Sequence, residues 1–300
     1  MNQKKEKRPW LLALDGSDDA FETVRYVSRI PTLKDTPMVL FSVFSRIPDA
    51  YWDLEKEPGY RWKLGEIRAW ETHRMRELKD HMAGAREILV KAGFSPDAIE
   101  TRLHERNKGI ARDIIHEAEQ GYFALVAGRK GTGRIRGIFL GSVADKLLER
   151  LATIPAILVG KGARPGRVLI AFDGSPGSMK AVDCVSTVFA EAGHDINLTH
   201  VMRQEEKQRI AISERFMGEA FDQAVERLTA AGVPRDRITT QIVAGAPSRA
   251  EAVVMEADQG GYGTIVAGRR GMSEVADFSM GAVCNKIVQL AGRQAVWVVN

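Results

Sequence analysis

The strongest constraint on what this chain can fold into is that its second half repeats its first. Trp10-Leu-Leu-Ala-Leu-Asp15-Gly-Ser17 returns as Val168-Leu-Ile-Ala-Phe-Asp173-Gly-Ser175. Met38–Val43 returns more loosely as Ile196–Val201. Leu125-Val-Ala-Gly128-Arg-Lys-Gly131 returns as Ile265-Val-Ala-Gly268-Arg-Arg-Gly271, and Ala156–Val159 as Ala295–Val298. The offset falls from 158 (Trp10 to Val168) to 140 (Gly128 to Gly268), so the first copy carries a net insertion of about 18 residues. Lys161-Gly-Ala-Arg-Pro165-Gly166 has the Gly and Pro expected of a linker. We therefore expect two domains, 1–160 and 165–300, each long enough to bury its own core.

Within each copy, short apolar runs alternate with longer amphipathic ones. In the second copy the strands are expected at Val168–Phe172, Ile196–Val201, Ile238–Val243, Thr264–Ala267 and Ala295–Val299. Helices are expected at Ser178–Ala192, around Ser213–Ala231, and at Pro247–Gln259 and Met280–Leu290. Strands with no polar alternation are buried on both faces, so the βαβαβαβαβ series implies an α/β fold with a parallel sheet. The insertion, between Pro48 and Arg74 (about residues 49–74), carries Tyr51, Trp52, Tyr60, Trp62 and Trp70, and Gly and Pro make part of it a loop. It reads either as a hydrophobic flap on its own domain or as a lid or subunit contact.

Ligands of an open parallel sheet sit outside the carboxyl ends of its strands. Asp15 and Asp173 stand at the end of the first strand of each copy, where a carboxylate can accept from ribose hydroxyls or an adenine amino group. Each Asp-Gly-Ser can equally cap the helix that follows. Gly128, Gly131 and Gly141-Ser142 then form G-x2-G-x9-G-S between a strand end and a helix start. Glycines let backbone approach an anion, and helix-start N–H groups point toward it. Gly268, Gly271 and Gly281 keep the same separations, with Ala282 where the serine stood. Arg129, Lys130, Arg269 and Arg270 lie in these loops and serve either as phosphate contacts or as exposed solubilising charges.

These motifs resemble those of the universal stress protein family in tandem form, over roughly residues 8–160 and 165–300. The resemblance implies two doubly wound, Rossmann-like domains of the adenine-nucleotide α-hydrolase-like kind, each a five-stranded parallel sheet with helices on both faces. It implies ATP as ligand, with Mg2+ as a companion ion. By position, Asp15 would meet adenosine and Val43 flank the base, with Gly128, Gly131, Gly141, Ser142 and Val143 holding ribose and phosphates. Asp173, Val201, Gly268, Gly271, Gly281 and Val283 take those places in the second copy, and Ala282 implies weaker binding there. Single domains of this family pair through their last strands; here Ala156–Val159 and Ala295–Val299 would do so within one chain, leaving a homodimer of chains as a further expectation.

Other chemistries find less support. There is no GxxxxGK[ST], Gly131-Thr-Gly133-Arg-Ile-Arg-Gly137 is one residue too long for GxGxxG, and the six histidines lie at no ligand spacing. No nucleophile–base pair can be argued from residue order, so the expected role is nucleotide-dependent regulation with at most slow hydrolysis. A nucleotide-independent interaction module is the alternative. The loop after the first strand is acidic, which opposes an ATP-activating enzyme. The near-balance of 43 Lys+Arg and 39 Asp+Glu argues against a nucleic-acid partner, and the run Lys4, Lys5, Lys7, Arg8 reads as a solvated terminus. Cys184 and Cys284 read as small buried residues, and no apolar run nears the ~18 residues of a membrane span. With no signal-like start, the expected location is the cytoplasm.

Overall fold

The computed structural model of the chain describes residues 7–46, 61–130, 140–203, 210–272 and 280–300. The first half runs β1 (Trp10–Ala13), α1 (Asp18–Ser28), β2 (Met38–Phe44), α2 (Arg61–Lys91), β3 (Ile99–Glu105), α3 (Ile110–Ala118), β4 (Ala124–Gly128), α4 (Ser142–Arg150) and β5 (Ala156–Val159). The second repeats it as β6 (Arg167–Ala171), α5 (Pro176–Phe189), β7 (Asp195–Arg203), α6 (Ile210–Ala230), β8 (Ile238–Ala246), α7 (Arg249–Gln259), β9 (Thr264–Gly268), α8 (Ala282–Leu290) and β10 (Ala295–Val299). The expected alternation is therefore present in both copies.

All ten strands join one sheet, in the order β3-β2-β1-β4-β5-β10-β9-β6-β7-β8. Each half is parallel, and the halves meet where β5 and β10 pair antiparallel, Val159 opposite Ala295 and Ala156 opposite Val298. The last-strand pairing expected from the sequence thus forms within the chain. Strand side chains alternate faces. Trp10 and Leu12 enter a core shared with α1, α2, α5 and α6, while Leu11 and Ala13 enter one shared with α3, α4, α7 and α8. Both cores contain residues of both halves, so the domains bury apolar surface against each other as well as within themselves.

The join is built on Trp297. Its ring meets Trp10 edge-on at 5.7 Å between centroids and lies 5.4 Å from Phe189. An indole N–H cannot be buried cheaply without an acceptor. Trp297 Nε1 donates to the Tyr26 hydroxyl at 2.9 Å, and that hydroxyl shares a 2.7 Å bond with Thr264 Oγ1. Tyr26 comes from α1 of the first half, and its two partners come from the second. Burial pushes the Tyr26 phenol well above its ordinary pKa, so it stays neutral. By the repeat offsets and the matching strand registers, the equivalent positions across the join hold Cys184, Ala124 and Ile157, so the polar chain occurs on one side only.

One expectation changes. The segment after β5 packs closely instead of tethering: Gly160 N–H donates to Gln294 O at 3.0 Å, and Gly162 N–H to Glu22 Oε2 at 3.1 Å. A Cβ on Gly263 would lie 1.8 Å from Arg164 O, so only glycine lets the linker backbone pass there. Of the basic amino-terminal run, Lys7 and Arg8 are exposed, as a solvated terminus would be, and donate to backbone carbonyls of Thr32, Gly121 and Tyr122. Lys4 and Lys5 lie outside the described residues.

Replacing Tyr26 by Phe strands the Trp297 N–H and the Thr264 hydroxyl in the join. Denaturant unfolding should show a loss of about 1–3 kcal/mol. An unchanged midpoint and slope would mean that this hydrogen-bond chain contributes nothing.

Candidate functional site

In the order β3-β2-β1-β4-β5, the chain leaves β1 to one side for β2 and β3, then returns to its other side at β4. That reversal opens a crevice at the carboxyl ends of β1 and β4. The first cavity lies there, about 420 Å³, within the range of small-molecule sites. Asp15, Val43, Gly128, Gly141, Ser142 and Val143 all line it, although 127 residues separate Asp15 from Ser142. Gly131 lies outside the described residues.

Local geometry explains these positions. Gly16, at φ +76°, turns the chain after Asp15 in a conformation that other residues resist. Asp15 Oδ1 then accepts from Ser17 N–H at 3.1 Å and from the Ser17 hydroxyl at 2.6 Å. Ser17 Oγ in turn caps α1 by accepting from Ala20 N–H at 3.2 Å. Asp15 therefore organises the helix cap and lines the cavity at once. On the far side, Gly141 N–H donates to Arg129 O at 2.8 Å and closes the neck of the glycine loop. The first N–H groups of α4, at Ser142, Val143 and Ala144, follow at the cavity wall. They carry the partial positive charge of a helix start and have no partner within the helix.

The second cavity, about 390 Å³, repeats the plan with Asp173, Val201, Gly268, Gly271, Gly281, Ala282 and Val283 in its lining. Asp173 Oδ1 accepts from Ser175 N–H at 3.0 Å, Ser175 caps α5, and Gly281 N–H closes the loop neck on Arg269 O at 2.8 Å. Gly268 is required by space, since backbone faces it, whereas Gly271 faces only the end of a side chain. A Cβ on Gly268 would lie 2.5 Å from the Gly177 carbonyl carbon, and one on Gly271 would lie 2.6 Å from Asp173 Oδ2. Arg249 and His200 also line this cavity; Arg249 Nε donates to Val201 O at 3.3 Å, and His200 Nδ1 bonds Phe172 O at 2.9 Å. Neither was singled out as a site residue from the sequence. Cys284 is buried in the same wall, and burial raises its thiol to about 12. The thiol is therefore protonated and unreactive at neutral pH.

The loop arginines divide their labour in a way the sequence did not reveal. Arg129 and Arg269 are only 4% and 5% exposed, and their guanidinium groups leave the cavities for the other half. Arg129 Nη2 donates to Val288 O near the end of α8. Arg269 Nη1 donates to Leu148 O at 2.7 Å and its Nη2 to Leu151 O, at the end of α4. The side chains expected among the phosphate contacts instead cap the carboxyl-terminal carbonyls of the helices across the join, where positive charge is favoured. Burial lowers Arg129 to about 10, still protonated at neutral pH. Arg129 and Arg269 still contribute to the cavity linings, beside Lys130 and Arg270, although their guanidinium groups end on the other half. Among the described residues no three His, Cys, Asp or Glu side chains are placed to hold a metal ion, and no helix is long and apolar enough to cross a membrane.

The sequence model of the universal stress protein family matches this chain twice, over residues 8–160 and 165–300. The chain belongs to the universal stress protein family. A curated universal stress protein of Mycolicibacterium smegmatis is 24% identical over 228 residues, 69% of this chain and 73% of its own length. A solved universal stress protein from Archaeoglobus fulgidus DSM 4304 superposes with a TM-score of 0.63 at 19% identity, covering 98% of this chain and 96% of that one. A putative universal stress protein from Pseudomonas aeruginosa UCBPP-PA14 gives 0.59 at 14% identity, covering 98% and 93%. These two structures share the tandem universal stress fold over nearly the full length of this chain.

The two arginines differ in their partners. Arg269 serves two helix carbonyls and also donates to Asn300 Oδ1, whereas Arg129 serves one carbonyl and its Nη1 is buried without a partner. Arg269→Met should therefore cost about 2 kcal/mol or more and Arg129→Met less than about 1 kcal/mol, measured by urea unfolding. Equal costs would show that the hydrogen bonds are not what these arginines contribute.

Proposed function

We propose that each cavity binds an adenine nucleotide, the first more tightly than the second, and that occupancy biases a regulatory state of the protein. The observation that carries this reading is the convergence of Asp15, Val43, Gly128, Gly141 and Ser142 on one crevice at the strand-order reversal. A carboxylate, an apolar wall, a close-approach glycine and a helix start suit the successive parts of a nucleotide: ribose or base donors, an aromatic ring, and phosphates. In this reading Asp15 and Asp173 meet the adenosine part, and Val43 and Val201 flank the base. Gly131, Gly141, Ser142 and Val143, with Gly271, Gly281 and Val283, hold ribose and phosphates. Lys130 and Arg270 supply positive charge beside them. A divalent ion such as Mg2+ would arrive on the phosphates and would take most of its ligands from them.

Each half, 1–160 and 165–300, thus carries one site, and the protein acts in the cytoplasm, where its ligand is abundant. The hydroxyl that Asp15 holds, that of Ser17, is engaged in capping α1, so in this reading binding is the function and any hydrolysis is slow. A ligand that prefers one conformation stabilises it by mass action, and that linkage is the proposed output. Ser142 adds a hydroxyl donor that Ala282 lacks.

Calorimetric titration with Mg-ATP tests this assignment. Two binding events are expected, with Ser142→Ala weakening the tighter one by about one to two decades and Ala282→Ser strengthening the weaker. Two identical events, indifferent to both substitutions, would remove the distinction between the sites.

A further inference from the structure

The two cavities differ most in what roofs them. Trp70, Glu71, Arg74, Met75 and Leu78 of α2 line the first, whereas no described residue of α6 lines the second. The difference follows from where each helix is anchored. Leu78 packs on the Asp-Gly-Ser turn, 3.2 Å from where a Gly16 Cβ would stand. Ala220, Phe216 and Met217 of α6 stand at the equivalent turn, 3.3, 3.4 and 3.9 Å from where a Gly174 Cβ would stand; Phe216, though exposed, is not among the residues lining the second cavity.

From Leu78 and Met217 both helices run 13 residues further, to Lys91 and Ala230. Their lengths are 31 and 21 residues, so all the extra turns of α2 precede the anchor. Those turns are part of the insertion seen in the sequence. Downstream, Met82 and Ala85 are buried in the core and His81 stacks on Phe21 at 3.9 Å between centroids, so the helix is fixed from Leu78 onward. Two turns before Leu78, about 12 Å along the axis, Trp70 falls on the same helix face.

Trp70 is 59% exposed although it borders a cavity, and Ile110, across the same cavity, is 39% exposed. Large apolar side chains held open beside a cavity are surface that a bound molecule can cover. Arg74, one turn from Trp70, pairs with Glu77 at 3.3 Å while about half exposed. Such an exposed ion pair is worth little and is readily exchanged for a ligand anion.

We propose that Trp70 and Arg74 are ligand contacts of the first site, Trp70 covering an aromatic base and Arg74 pairing with an anionic group. They make that site selective for a flat aromatic ring joined to an anion. By the same alignment the second copy carries Arg209 and Ser213 where the first carries Trp70 and Arg74, so its sequence offers neither the indole nor an arginine at the matching position. The inference rests on the nucleotide reading and adds which part of the chain sets its selectivity.

The test titrates Mg-ATP and adenosine separately into the full chain and its Trp70→Ala and Arg74→Gln variants. The second site serves as an internal control for folding. Trp70→Ala should weaken both ligands at the tighter site by about tenfold, the scale of base–aromatic stacking. Arg74→Gln should weaken ATP there and leave adenosine unchanged. Variants that bind ATP as the wild type does would overturn this inference and leave the nucleotide reading standing. Equal weakening at both sites would overturn it too, by showing a structural effect. A wild type that takes neither ligand would overturn both.

Discussion

The antiparallel pairing of β5 with β10 is the constraint on which the rest of the molecule depends. Each half-sheet ends in a strand whose outer edge needs a partner, and each finds it in the other half. Because β4 and β9 lie next to those strands, the glycine loops that follow them start beside the join. The residue after each glycine can then face two ways. Its carbonyl closes the loop neck at the cavity, and its side chain crosses to the other half. Hence α4 offers its amino-terminal N–H groups to the first cavity while a side chain from the second loop holds its carboxyl end. The same is true of α8 with the roles exchanged. The two sites share a mechanical frame without sharing a wall.

The repeat is symmetric in backbone and asymmetric in chemistry. Trp297, Tyr26 and Thr264 form a polar chain on one side of the join, whereas Ile157, Cys184 and Ala124 make the other side apolar. Ser142 faces Ala282 across the repeat, and the long α2 faces the shorter α6. A duplicated fold keeps what both copies need for stability. The cavities, which are not needed to bury the core, are free to differ.

Much of this was legible in the sequence because it depends on local pattern. Unbroken apolar runs marked the strands, and every expected strand of the second half lies within an observed one or overruns it by a single residue, Phe172. The Asp-Gly-Ser turns could be read two ways: the cap is formed, by Ser17 with Asp15 organising it, and Asp15 at the same time lines the cavity where the ligand reading would place it. What escaped notice depends on tertiary partners. Nothing near Arg129 in sequence hints that its guanidinium ends on Val288, 159 residues away. Arg249 and His200 come to the second cavity from α7 and β7, with no motif to mark them. The insertion was read as partly loop because of the Pro58-Gly59 pair within it. Its later part, from Arg61, forms the first turns of α2. The part carrying Tyr51, Trp52 and Tyr60 lies outside the described residues.

The central claim is that this tandem fold holds adenine nucleotide, and the most direct measurement is of what the purified chain already carries. Denaturing it, separating the released small molecules by chromatography and quantifying them per chain requires no assumption about affinity. The account predicts adenine nucleotide at about one equivalent per chain, held in the serine-bearing first site. Release of none, together with no uptake of added Mg-ATP, would contradict it and leave an interaction module with empty glycine loops.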